Sequence, residues 1–345
     1  MTVDVSTDFL RLAAMVSASF LGCAPALVGQ WLWPTPNKAF AEARPYEDFV
    51  QPTVSGLTVS ALFGCSRSDG RQFHEGLDLK PIERDGRGEA ADPIFSVLPG
   101  IVVHASPKAG ASSYGRYLVI EHRGQRPALV SLYAHLLSID PSARVGAGVG
   151  GGQVVAVMGR SAGGYSIPRD RAHLHFEVGV YLSQRFQQWY DGRGFGSPNE
   201  HGWFNGMNIV GLDFLDFAER LRAKQVRDVG EYIARQPVAL TVFVRSAFEP
   251  DFVRRYPELV DGGAAAVDRA AGWEIDFTWY GFPKEWRRVS SYEASRRPAD
   301  KYAIVFHDAA LLERYPCQSM VRTRGGRPAL GPRAQDALDI LFTGG

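Results

Sequence analysis

Between Ile94 and Leu182 the chain alternates short β-rich runs with glycine turns: IFSVLPGIVVHAS (Ile94–Ser106), YGRYLVIEH (Tyr114–His122), ALVSLYAHL (Ala128–Leu136), GGQVVAVMG (Gly151–Gly159) and HLHFEVGVYL (His173–Leu182). Five such runs at short spacing predict an antiparallel, mainly β domain, a sheet or sandwich over about residues 52–211. Outward from it, Gly192–Asn208 is a glycine- and asparagine-rich loop, and Leu212–Gln236 carries apolar residues at helical spacing, which predicts a helical connector over 212–236. Beyond Pro237, VALTVFVR, GWEIDFTWYG and KYAIVFHD read as strands, while PDFVRRYPELV and AAAVDRAAG read as helices. Residues 237–345 therefore form a smaller α+β unit, one without a recognisable chemical motif.

The 345 residues hold 37 acidic and 38 basic side chains, a formal net charge of +1, and are 45% hydrophobic. So balanced a charge makes no field suited to nucleic acid or anionic membrane as the main partner. The apolar run Leu12–Gly29 reads as a signal or lipoprotein-type export segment (1–29), and 30–51 as a linker. FLGC, ending at Cys23, resembles a bacterial lipoprotein processing site, in which an acylated Cys23 anchors the chain to a membrane. A location in the cell envelope, periplasmic or extracellular, follows. With Cys23 lipidated, Cys65 and Cys317 remain, a pair that an oxidising compartment can join. The lack of any Cys-x-x-Cys excludes a thiolate zinc site.

Three segments hold the chemically interesting histidines: FHEGLDL with His74 and Asp78, LYAHL with His135, and AHLHFEV with His173 and His175. On a strand alternate side chains share a face roughly 7 Å apart, so His173 and His175 project together. His74 and Asp78 have the right parity, but an ideal strand separates their Cα atoms by about 13 Å, and Gly76 supplies the bend that draws them together. A hydrolytic zinc site takes three nitrogen or oxygen ligands and leaves one position open to water. His74, Asp78 and one histidine of the pair supply the three, leaving His135 and the other imidazole for proton transfer. Glu75 directly after His74 does not complete His-Glu-x-x-His, since no second histidine follows and a strand turns Glu75 to the other face.

In their order, FGCSRSDGRQFHEGLDL, LPGIVVHAS, SYGRYLVIEH, LYAHL, GGQVVAVMGRSAGG and AHLHFEV resemble the lysostaphin-like zinc metallopeptidases, over about Gly56–Tyr181. The resemblance implies a β-rich catalytic domain that cuts peptide cross-links of bacterial peptidoglycan. It implies zinc held by His74, Asp78 and His175, His135 and His173 as unligated catalytic histidines, and Tyr114 near the substrate groove. The segments Pro81–Asp92 and Ser161–Ala172 are longer than in the shortest family members and are expected to shape the groove. The alternatives are a non-catalytic wall-binding or regulatory scaffold with a retained metal site, and a metal-dependent carboxypeptidase acting on free stem peptides.

Other residues have plainer expected roles. His104 and His122 are read as structural hydrogen-bonding groups, and His201 and His307 as surface or packing residues. Glu177 shares the parity of His175 and is placed to orient a ligand. Arg322, Arg324, Arg327 and Arg333 read as a solvated basic face.

Overall fold

The computed structural model describes residues 27–28, 31–263 and 270–345. The export segment with Cys23 and most of the AAAVDRAAG stretch lie outside the described residues. In chain order the strands up to residue 212 are β1 (Leu27–Val28), β2 (Trp31–Leu32), β3 (Gly64–Arg67), β4 (Gln72–His74), β5 (Leu77–Leu79), β6 (Pro93–Phe95) and β7 (Gly100–Ser106). They continue as β8 (Tyr117–His122), β9 (Leu129–Ala134), β10 (Ser138–Ile139), β11 (Gly148–Val149), β12 (Val154–Val157), β13 (Leu174–Tyr181) and β14 (Ile209–Leu212). The mainly β architecture is the one expected.

A seven-stranded antiparallel sheet, in the order β11-β7-β8-β9-β13-β14 with β5 also paired to β13, carries the histidines. The smaller sheets β10-β12-β6, β3-β4 and β1-β2 complete this part. Every residue of β13 is buried, which a central strand achieves by packing both faces. Leu174, Phe176, Val178 and Val180 join Leu118, Ile120, Leu129 and Tyr133 in the main core. The alternate residues, His175 and Glu177, face the other way, toward the layer of Tyr117, Val119, Val130, Leu132 and Ala134.

From Trp31 on, the stretch expected as a linker is packed structure. Trp31, Trp33, Phe40 and Phe49 are buried, with Trp33 stacked on Phe40 at 4.4 Å and Trp31 against Phe217 at 5.3 Å. Four large aromatic side chains in one short stretch bury too much apolar surface to remain a tether. The expected connector divides as well. After α1 (Phe186–Arg193), two helices, α2 (Phe214–Arg222) and α3 (Val229–Ala234), replace a single one. Each has its own aspartate N-cap, Asp213 accepting from Asp216 N at 3.1 Å and Asp228 from Glu231 N at 2.8 Å, and Lys224 in the left-handed region (φ 56°) breaks the run between them.

The carboxy-terminal unit contains β15 (Leu240–Val244), α4 (Asp251–Arg255), β16 (Gly272–Phe277), β17 (Pro283–Val289), α5 (Ser291–Ala294) and β18 (Tyr302–His307). It continues through α6 (Ala309–Arg314), the hairpin β19 (Val321–Arg324) and β20 (Arg327–Leu330), and α7 (Pro332–Leu341). Its antiparallel sheet runs β17-β16-β15-β18. One apolar core spans both parts of the molecule, from Phe176 and Phe214 to Trp286 and Leu338. Two further ties bind them. Arg255 lies 4.0 Å over the Tyr181 ring and donates to the carbonyls of Tyr181 and Leu182, both at 3.1 Å, and a disulfide joins Cys65 in β3 to Cys317, with Cα atoms 5.6 Å apart. No described helix is long and apolar enough to cross a membrane.

Candidate metal centre

Register does most of the assembly. Asp78 on β5 stands directly opposite His175 on β13, and Ala134 on β9 flanks His175 from the other side. Directly opposed residues have Cβ atoms about 5 Å apart. His74 enters from β4, and the chain bends at Glu75–Gly76 before β5 begins. A side chain at Gly76 would strike the Phe176 carbonyl at 2.4 Å, so only glycine allows this bend to lie against β13.

The result is a tight, buried triad. His74 Nε2 lies 3.1 Å from Asp78 Oδ1 and 3.1 Å from His175 Nδ1, and His175 Nδ1 lies 2.9 Å from Asp78 Oδ1. One donor atom from each residue falls within 4.8 Å of the others. Two ring nitrogens facing each other and a shared carboxylate oxygen make a donor set suited to a divalent cation. The remaining ring nitrogens are anchored: His74 Nδ1 on the Leu62 carbonyl at 2.9 Å and His175 Nε2 on Glu177 Oε1 at 2.9 Å. Such outer partners fix which nitrogen faces the ion.

Two more imidazoles border the triad. His135 packs 4.8 Å from His173 and 5.9 Å from His175, ring centre to ring centre. His135 Nδ1 donates to the Ser161 carbonyl at 2.9 Å and His173 Nδ1 to the Arg171 carbonyl at 2.8 Å, which leaves each Nε2 as an acceptor. His173 Nε2 lies 3.7 Å from Asp78 Oδ1. His135 directly follows β9 with φ 61°, a left-handed conformation that lifts its ring out of the strand's alternation.

Electrostatics separate the groups. Burial pushes His135 well below the ordinary histidine range, reinforced by the neighbouring His173 and His175. Burial lowers His173 too, against the pull of the Asp78 charge. His175 is pushed up to about 10, because the hydrogen bonds and charges of Asp78 and Glu177 outweigh its burial. Asp78, although buried, is held well below the usual carboxylate range by His74, His173 and His175.

Residues 72–187 match the model of Peptidase family M23. This stretch is a family M23 peptidase domain. No curated protein matches the chain significantly. Among solved structures, the catalytic domain of lysostaphin from Staphylococcus simulans is similar at 20% identity and a TM-score of 0.28, covering 46% of this chain and 87% of that one. The catalytic domain of the prophage-encoded M23 protein EnpA from Enterococcus faecalis is similar at 23% identity and a TM-score of 0.27, covering 38% and 80%.

Around the triad the structure shows where the other residues of the sequence reading lie. The Tyr114 hydroxyl donates to Glu177 Oε1 at 2.6 Å, behind His175, and the residue also lines a cavity of about 540 Å³ with Glu75, Ser113 and His201. Arg333, read as part of a solvated face, is partly buried, and its Nε is enclosed with no hydrogen-bond partner among the described residues. The charge of Glu75 pulls against the burial that lowers its pKa. Arg322, Arg324 and Arg327 are exposed. His104 packs against Tyr117 at 4.9 Å with the rings tilted by 35°, and its buried Nε2 has no hydrogen-bond partner among the described residues. His122 is bonded at both nitrogens, to the Pro99 carbonyl at 3.0 Å and Ser131 Oγ at 2.7 Å. His201 is buried against the Tyr117 hydroxyl at 2.8 Å, and His307 closes β18.

Sequence reasoning missed Arg67, whose Nη2 lies 2.5 Å from Asp78 Oδ2, the oxygen turned away from His74. The turn SDGR between β3 and β4 was the available signal, since a tight hairpin brings Arg67 back beside the ligand segment. Also missed was Glu89, which accepts from Arg160 at 2.7 Å and Arg169 at 3.0 Å and so staples the segment 81–92 to the segment 161–172. Between those segments lies a cavity of about 370 Å³ lined by Glu89, Arg116, Leu137, Ser161, Tyr165 and Ile167. Tyr165, half-exposed, reaches within 6.5 Å of the His135 ring.

Proposed function

We propose that the chain is a zinc-dependent endopeptidase that hydrolyses peptide bonds in peptidoglycan cross-links and works in the cell envelope. The observation that carries the reading is the convergence of His74 Nε2, Asp78 Oδ1 and His175 Nδ1 beside two buried imidazoles, His135 and His173, each with Nε2 left to accept a proton. A zinc ion held by His74, Asp78 and His175 supplies Lewis-acid polarisation of the scissile carbonyl and of water.

The chain's own groups do the rest. The carbonyls of Ser161 and Arg171 fix the tautomers of His135 and His173, and burial keeps both neutral near pH 7, so either Nε2 takes the proton of the attacking water. The protonated imidazole steadies the developing oxyanion and then returns the proton to the departing amine. Arg67 turns Asp78 so that Oδ1 faces the two ligand histidines. The stapled segments beside Tyr165 form one wall of a groove for the peptide. The Cys65–Cys317 disulfide supports an oxidising compartment.

Incubating the purified chain with isolated peptidoglycan, with and without a chelator, tests the reading. New amino groups that vanish with chelation are the expected result, and muropeptide mass spectrometry identifies the bond. Release of terminal D-alanine without opened cross-links assigns a carboxypeptidase instead, and binding without any cleavage assigns a scaffold.

A further inference from the structure

Far along the chain from the triad, β18 forms an edge of the carboxy-terminal sheet, paired among the described residues only with β15. Natural edge strands are usually blunted by charge, proline or a covering element. The segment Tyr302–His307, YAIVFH, contains neither Lys, Arg, Asp, Glu nor Pro; a bulge at Val305 is the irregularity in its pairing with β15, and Val305 and Phe306 are 40% and 48% exposed.

Across from this edge stands the β19–β20 hairpin, turned at Gly325–Gly326, both with positive φ. Arg322 and Arg324 share one face of β19, and the register sets Arg324 directly opposite Arg327. Like charges so opposed destabilise a strand pair, and the stretch Val321–Leu330 contains no acid to relieve them. Among the described residues no carboxylate lies within ion-pair distance of Arg322, Arg324 or Arg327, whereas in the neighbouring sheet Arg287 pairs with Asp276 and Arg297 with Glu274. Between β18 and the hairpin runs a groove of about 720 Å³, lined by Tyr302, Ile304, Val305, His307, Arg322 and Arg324, with Asp300 as the acid on its wall.

We propose that this groove is a docking site for an acidic peptide in extended conformation, laid along the open edge of β18 with its carboxylates on Arg322 and Arg324. The backbone of β18 offers the peptide main-chain hydrogen bonds, as in strand addition to a sheet edge. Alternate side chains of an extended peptide recur every 6.5 to 7 Å, roughly the spacing along β19, so carboxylates on every second residue meet the two guanidinium groups in register. Planar guanidinium forks pair with carboxylates in bidentate fashion. Val305 and Phe306 supply apolar contact beside the charges. The inference is independent of the peptidase reading, because it uses none of the residues of the metal centre.

The test uses the full chain with its disulfide intact and a fluorescein-labelled heptapeptide alternating threonine and glutamate, followed by fluorescence anisotropy. Saturable binding is expected, weakened at least about tenfold when glutamine replaces glutamate in the peptide or in an R322Q/R324Q variant, and kept within about threefold in R322K/R324K. Amide exchange across 302–307 should slow when the peptide is added. Equal binding of the glutamine peptide, unchanged binding by R322Q/R324Q, or protection arising outside 302–307 overturns the proposal. So does tighter binding of inorganic polyphosphate than of the peptide, or a concentration-dependent dimer that buries β18. Thermal melts of both arginine variants separate lost binding from lost folding, and the lysine variant keeps the charge test readable if the glutamine variant unfolds.

Discussion

Tyr114 and His175 meet on a single oxygen: Glu177 Oε1 accepts from the Tyr114 hydroxyl at 2.6 Å and from His175 Nε2 at 2.9 Å. In the proposed metal centre the tyrosine thus acts from behind, through a carboxylate, and the position of the His175 ring depends on both. Replacing Glu177 by Gln is expected to lower metal affinity about 10- to 100-fold, because the ring loses its charged acceptor. Tyr114→Phe should lower it less. Metal titration of both variants checks this, and a Tyr114→Phe enzyme with raised KM and unchanged metal affinity would place the tyrosine on the substrate instead.

His74 and His135 have different jobs in the proposed mechanism, and two variants separate them. His74→Ala should lose both bound metal and hydrolysis. His135→Ala should keep its metal and lose activity by about 10² to 10⁴, the usual scale of a positioned general base. Metal content by mass spectrometry alongside turnover distinguishes the two, and loss of metal from His135→Ala would reverse the assignment.

The disulfide reaches the metal centre through the β3–β4 hairpin. Cys65 lies between Gly64, paired with His74, and Arg67, which holds Asp78. Replacing Cys65 and Cys317 together by Ser is expected to cost about 2–4 kcal/mol of stability and to weaken metal binding as the hairpin loosens. Urea unfolding and metal titration, run on oxidised wild type and the double variant, read both effects.

Asp213, the N-cap of α2, predicts a pH dependence away from the site. Burial pushes its carboxyl up to about 7 from an ordinary 3.8, despite the hydrogen bond from Asp216 N. The folded protein therefore holds this proton more tightly than the unfolded chain does. Stability from this group is fully present below about pH 4, falls as the pH rises through about 7, and is level above that, with a ceiling of about 4 kcal/mol. Asp213→Asn keeps a capping oxygen and should flatten that slope, measured as urea unfolding free energy at pH 5 and pH 8.

Much of this was legible in the sequence because the decisive pattern is local. HLHFEV announces a strand, and a strand's alternation puts His175 and Glu177 on one face whatever the rest of the chain does. Gly76 signalled the bend between His74 and Asp78 for the same reason. What stayed hidden depends on contacts distant in sequence. The aromatic residues of 30–51 look like a tether until Phe214 and Phe217 arrive to cover Trp31. Arg333 looks like one more surface cation until the fold encloses its Nε. Tyr114 lies 63 residues from Glu177, and no spacing rule connects them.

His135 occupies a backbone conformation that suits glycine or asparagine better than a histidine. Such a residue carries a cost of about 1 kcal/mol or more, which its buried ring and its bond to the Ser161 carbonyl offset, so His135→Asn, which suits this backbone and keeps a polar side chain, should melt above His135→Ala while losing turnover to the same degree. At this one position the backbone and the ring pull in opposite directions, so the imidazole is held in place by its packing against an awkward turn of the chain.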